Sequence, residues 1–179
     1  MPVHLDGARV FNAAVALGVD ASDIVEHVDT VTFCLSKGLG APVGSVVAGD
    51  AEFVEAARRV RKLFGGGMRQ AGMIAAPGLL ALENVDRLAE DHANAERLAA
   101  GLDALDGVSA PEPDTNIVVA HTEAAGIAAS DLVAACEDAG VGCVEFAEHT
   151  TRFTTHLDVD RDDVDAAVDR IGDAVAELA

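Results

Sequence analysis

Tryptophan and tyrosine are absent from this chain, and its 179 residues include only six phenylalanines. A core is available, since 50% of the residues are hydrophobic, but it must be built from Ala, Val, Leu and Ile. Lysine is almost as scarce, with two residues, Lys37 and Lys62, against ten arginines. The shortage of positive charge leaves a net charge of −19, which argues against nucleic acid as a partner. No apolar run approaches the length of a bilayer span, and no basic-then-apolar leader opens the chain, so the expectation is a soluble cytoplasmic protein with no membrane partner. The three cysteines, Cys34, Cys136 and Cys143, are odd in number and in no metal-ligand spacing, and the six histidines do not cluster with them, so no metal site is expected. Cys34 reads as a small core residue.

The acid excess points to a halophilic setting, because concentrated cations screen the self-repulsion of such a surface. The length suits one ordinary domain or a piece of a larger one.

The most informative stretch is Ser36-Lys37-Gly38-Leu39-Gly40-Ala41-Pro42-Val43-Gly44-Ser45. It follows the apolar, β-branched run 31–35, which places Lys37 where a strand leaves a sheet. Gly38 and Gly40 strip the turn of bulk and would let a planar ligand approach the backbone. A poorly solvated ammonium there would have a lowered pKa and be free to act as an amine nucleophile, as a Schiff-base lysine must. The alternative is a solvated surface charge, which the scarcity of lysine makes less natural. A dinucleotide fingerprint does not fit, because the glycine spacing is wrong and residues 41–45 lead into a strand.

The chain opens abruptly in what looks like the end of a strand, His4-Leu5-Asp6. Asp6 reads two ways: as the cap of a helix over 10–17, or as a carboxylate at the ligand-binding end of a strand, facing the same crevice as Lys37. A short helix is predicted over 21–27, a strand over 44–49, and a helix over 51–63 capped by Asp50. Five of the twelve basic residues fall within 58–70 beside Gly65-Gly66-Gly67. This suggests an anion site for phosphate or carboxylate, although charge at a helix C-terminus explains all but Arg69. Residues 68–83 are almost wholly apolar or small and predict a helix buried on all sides, in the core or against another subunit. A long amphipathic helix follows over 86–105. Composition shifts at 108–114, the expected entry to a small α+β unit. Its strands are predicted at 115–120, 141–146 and 152–157, and its helices at 130–139 and 160–178. Arg152 opens the last strand and is the basic residue there able to fork onto a carboxylate, unless it is only a surface charge.

His4-Leu5-Asp6-Gly7-Ala8-Arg9, the decapeptide around Lys37, Gly65-Gly66-Gly67-Met68-Arg69-Gln70, Glu90-Asp91-His92-Ala93-Asn94-Ala95 and Thr155-His156-Leu157-Asp158 together resemble the low-specificity L-threonine aldolases. The resemblance runs through nearly the whole chain in order. It implies an α/β fold: the C-terminal part of a pyridoxal-phosphate (PLP)-dependent transferase-like, fold type I large domain over 1–107, then a small α+β domain over 108–179. It implies that Lys37 is the catalytic residue that joins the PLP aldehyde and that Asp6 holds a proton on the pyridine nitrogen. It further implies that Arg9 and Arg152 bind the substrate carboxylate, with Arg9 near the ring's phenolic oxygen. Lys62 and Arg69 are then the residues that a neighbouring subunit contributes on the phosphate side. The reaction would be retro-aldol cleavage of threonine or allo-threonine, β-hydroxy-α-amino acids, to glycine and an aldehyde.

Members of that family are about twice this long. The isolated chain is therefore expected to be weakly active or inactive, and to work as a homo-oligomer, dimer or tetramer, or with a separate N-terminal half. A related PLP β-eliminating lyase and a non-catalytic oligomerisation module remain the alternatives.

Overall fold

The computed structural model describes all residues from Met1 to Ala179, which form two compact units, Met1–Leu88 and Ala89–Ala179. No helix is long and apolar enough to cross a membrane.

The first unit is built on a three-stranded sheet in the order β1-β2-β3, with β1 at His4–Asp6, β2 at Thr30–Cys34 and β3 at Ser45–Ala48. Strands β1 and β2 run parallel, with Asp6 opposite Thr32, and parallel neighbours require a crossover. Helices α1 (Val10–Leu17) and α2 (Ala21–Val25) supply it. α1 stops where Gly18 adopts the left-handed conformation, φ 66°, a position that favours a residue without a Cβ. Strand β3 returns antiparallel to β2. Helix α3 (Ala51–Leu63) then begins on Asp50, whose carboxylate accepts the Phe53 N–H at 2.7 Å.

Helix α4 (Gly72–Ala81) departs from the sequence expectation twice. It is shorter than residues 68–83, because Gln70 takes a positive φ of 54° just ahead of it and the chain passes into a 3-10 turn, Leu82–Asn84, just after. Nor does its own chain bury it on all sides, so the core alternative fails: Met73 is 80% exposed, Leu79 69% and Leu80 65%. The unit has little with which to cover them, since its buried cluster consists of Leu39, Ala41, Ala81 and Leu88.

The second unit contains nearly all of helix α5 (Leu88–Asp103), strand β4 (Ile117–His121), helix α6 (Ala129–Asp138), strands β5 (Val144–Ala147) and β6 (Thr150–Thr154), and helix α7 (Arg161–Leu178). Its sheet is antiparallel in the order β4-β6-β5. Alternation along the strands sends Val118, Ala120 and Phe153 into a core shared with Leu98 and Leu102 of α5, Leu132 and Cys136 of α6, and Val164, Ile171 and Val175 of α7. Two buried polar side chains are bonded within this core. The Asn116 amide donates to the Thr155 carbonyl at 2.7 Å, and the Thr155 hydroxyl donates to the Asp91 carbonyl at 2.6 Å. Asp160 caps α7 by accepting from the N–H groups of Asp162 and Asp163. Arg152 lies in the middle of β6, opposite Val119 and Val144, rather than at its start, because pairing with β4 already begins at Thr150.

Candidate active site

Parallel pairing brings the carboxyl ends of β1 and β2 to one edge of the first sheet. Asp6 is the last residue of β1, and Lys37 follows the end of β2 by three positions. Backbone bonds continue past the strand ends, with Gly7 N–H donating to Thr32 and Cys34 N–H to Ala8. Asp6 and Lys37 therefore leave the sheet at the same end, both exposed. The cap reading of Asp6 does not hold: the residue preceding α1 is Arg9, and Asp6 is committed to the ladder. Arg9 is half-buried there.

The turn that carries Lys37 is closed by its own backbone. Gly40 N–H donates to the Lys37 carbonyl at 2.9 Å, Ala41 N–H to Leu35 at 2.9 Å, and Leu35 N–H to Gly44 at 3.0 Å. Leu39, 3% exposed, plugs the turn into the first unit's core, and the Asn84 amide donates to its carbonyl at 2.9 Å. The turn is thus anchored from within while the lysine projects outward. Two sequence expectations change. Lys37 is exposed rather than desolvated, because no side chain of its own turn covers it. Gly38 makes room for its own unit rather than for a ligand: a Cβ there would meet Leu88 Cδ2 at 2.8 Å and the Asn12 Oδ1 at 3.2 Å.

Sequence reasoning missed the polar face beside Asp6. His4 and Asp6 alternate on β1, Thr30 and Thr32 on β2, and the register puts all four on the same side of the sheet. The His4 ring spans the two hydroxyls, with Nδ1 2.8 Å from Thr30 Oγ1 and Nε2 3.3 Å from Thr32 Oγ1. The period-two spacing of these residues was the available signal, but it needs the strand register to be useful. The opposite face is apolar, with Val31 buried and Phe33 meeting Phe11 edge to face at 5.4 Å.

Lys62 sits in the last turn of α3 and Arg69 in the segment before α4, and both are exposed. Gly65 and Gly66 N–H groups close the end of α3 by donating to Lys62 and Arg61. In the second unit, Arg152 is half-buried, and its guanidinium carbon lies 6.0 Å from the centre of the Phe146 ring. Its Nε is buried and meets no acceptor.

Residues 1–125 match the beta-eliminating lyase family. This chain belongs to that family. The beta-eliminating lyase match is joined by similarity to the low-specificity L-threonine aldolase 1 of Arabidopsis thaliana, 42% identical over 166 residues, or 90% of this chain and 46% of the plant protein. The low specificity L-threonine aldolase of Escherichia coli K12 is 41% identical over 163 residues, covering 90% of this chain and 47% of that protein. Among solved structures, an aromatic amino acid beta-eliminating lyase/threonine aldolase homologue from Exiguobacterium superposes with a TM-score of 0.78 at 26% identity, over 97% of this chain and 52% of its own. The chain spans about half the length of the relatives it matches. Its fold is that of the PLP-dependent fold type I enzymes.

Proposed function

We propose that this chain carries the cofactor lysine and part of the substrate site of a PLP-dependent lyase that cleaves L-threonine, allo-threonine and related β-hydroxy-α-amino acids to glycine and an aldehyde. The observation that carries the reading is the common edge of two parallel strands from which Asp6 and Lys37 emerge. The pair suits PLP: an amine for its aldehyde and a carboxylate for its ring nitrogen. Bound there, PLP supplies an electron sink for the pair released when the Cα–Cβ bond breaks.

Lys37 forms the covalent anchor in this reading, and its anchored turn fixes where that amine stands. Asp6 keeps the ring nitrogen protonated by holding negative charge against it. Arg9 and Arg152 would take the substrate carboxylate, a task suited to the planar fork of a guanidinium, and Arg9 would also serve the ring's phenolic oxygen. Lys62 and Arg69 serve the phosphate side of a neighbouring subunit's cofactor, in a dimer or tetramer. For the whole protein, we assign residues 1–107 to a partial cofactor-binding domain and 108–179 to a small C-terminal domain.

Reducing the PLP-treated chain with borohydride tests this directly, because only two lysines compete. The label is expected on Lys37 and should vanish in Lys37→Ala; labelling of Lys62 alone, or of neither lysine, would sink the assignment. β-Elimination on another amino acid is the second reading, favoured by the family's own description. Glycine from threonine supports the aldolase, and turnover of serine or cysteine without it supports the eliminating lyase. A non-catalytic oligomerising role is favoured by the exposed apolar side chains of α4, and retro-aldol activity from the chain alone would overturn it.

A further inference from the structure

Two of the three cysteines, Cys136 and Cys143, converge on the core of the second unit. Cys136 lies on the inner face of α6, fully buried, four residues beyond Leu132 in the same core. After α6 the chain reverses through Gly140, at φ 75°, and the Val141 N–H donates back to the Cys136 carbonyl at 2.8 Å. This closure returns Cys143 to the same core, where it is half-buried, one residue ahead of β5. The two thiols share a hydrogen bond. That bond, with burial adding to it, pushes the Cys136 thiol up, and it draws Cys143 down against the effect of burial. Cys34 belongs to the first unit and takes no part.

We propose that Cys136 and Cys143 form a redox-active dithiol that closes to an intramolecular disulfide by exchange with a low-molecular-weight disulfide. Cys143 is the more accessible sulfur and the better nucleophile, so it attacks first. Its thiolate bonds to one sulfur of the small disulfide and expels the other as a thiolate. Cys136 then gives up its proton and attacks the Cys143 sulfur of the mixed disulfide, expelling the second small thiolate. The expelled thiolates take up the two protons lost by the cysteines. The protein is oxidised by two electrons, and one small disulfide is reduced to two thiols. The bridge ties the end of α6 to the start of β5, an edge strand that is exposed throughout and that pairs Val144 with Arg152. Oxidation therefore pins the strand flanking the residue assigned above to the substrate carboxylate, while the dithiol proposal itself does not depend on that assignment.

The test is to equilibrate the chain in glutathione buffers from reducing to oxidising, alkylate it, and cleave after Glu137, which separates the two cysteines in sequence. The expected result is a species lighter by two hydrogens whose two fragments stay joined until reduced, with Cys34 alkylated throughout. Cys136→Ser should instead hold the glutathione adduct at Cys143, and Cys143→Ser should form neither bridge nor adduct. Slower hydrogen exchange of the β5 amides in the oxidised chain completes the pattern. Two free thiols in the folded wild-type chain at every poise, a bridge that uses Cys34, or a wild-type adduct at Cys143 that Cys136 does not resolve would each overturn the proposal. The wild-type chain alone decides the matter, so a variant that fails to fold does not remove the test.

Discussion

The two units of this chain are made to different specifications. Met1–Leu88 holds eight basic and ten acidic residues, whereas Ala89–Ala179 holds four and twenty-one, so net charges of −2 and −17 make up the total of −19. Of the eighteen large hydrophobic side chains left exposed, fourteen lie in the first unit and four in the second. The second unit closes a core drawn from three helices and a sheet, and its acidic surface is suited to water. The first has four buried apolar side chains in its cluster and displays Leu63, Phe64, Met73 and Leu79 at 69% exposure or more. Apolar side chains exposed to that degree call for cover. The candidate cofactor residues Asp6, Lys37, Lys62 and Arg69 all lie in that first unit. The contrast teaches that the unit assigned most of the chemistry is the one least sufficient by itself.

The sharpest way to break the comparison is to truncate one leucine in each unit. Leu102 is 0% exposed in the closed core, and Leu102→Ala is expected to cost about 2–5 kcal/mol, as lost burial and a residual cavity do elsewhere. Leu80 is 65% exposed, and Leu80→Ala should change the stability of the chain by no more than about 0.5 kcal/mol. Urea unfolding monitored by hydrogen exchange in each unit provides the measurement, and equal losses would show that the first unit has a core of its own.

Salt gives a second, smaller separation. Self-repulsion among the acidic side chains is screened as the Debye length falls from about 10 Å at 0.1 M to about 3 Å at 1 M. We expect added salt to raise hydrogen-exchange protection more in 89–179 than in 1–88. Equal gains would mean that charge balance within each unit does not govern its response, and would remove the support for a halophilic setting.

How far the sequence could be read follows the same division between local and non-local causes. Helices α1 and α3 fall where the pattern put them, because Gly18 and Asp50 mark a stop and a start within a few residues of the chain. The cap of α7 at Asp160 was legible for the same reason. Misreadings arise where a distant partner decides. The cap alternative for Asp6 fails, and its strand reading holds, because Thr32, far along the chain, pairs with it. Gly38 serves Leu88, and the polar face of His4, Thr30 and Thr32 exists only once the register is set. The apolar composition of α4 was plain, but composition states that a helix calls for cover and not where the cover is found. Lys37 was conspicuous as a rare lysine in a glycine-rich turn, while its exposure reflects what surrounds the turn in space.

The smallest expected effect concerns His92, a buried histidine in the acidic unit. Burial lowers its pKa from 6.5, because the charged ring loses water, and the neighbouring Asp91 and Glu96 offset this only in part. The unfolded chain therefore binds the proton more readily than the folded one. Above pH 6.5 both states are neutral at this ring and it contributes no pH dependence. As pH falls below that value the unfolded state takes up the proton first, and stability declines until the folded-state pKa is passed. This runs opposite to a histidine stabilised by an acidic partner, which would make the fold more stable on acidification. His92→Gln should flatten the decline below pH 6.5 and leave the slope above it unchanged, measured as urea midpoints across that range. A decline that persists unaltered in the variant would assign the acid sensitivity of the second unit to its carboxylates instead. A stability that rises on acidification in the wild type and not in the variant would show that the negative charge around the ring outweighs its burial.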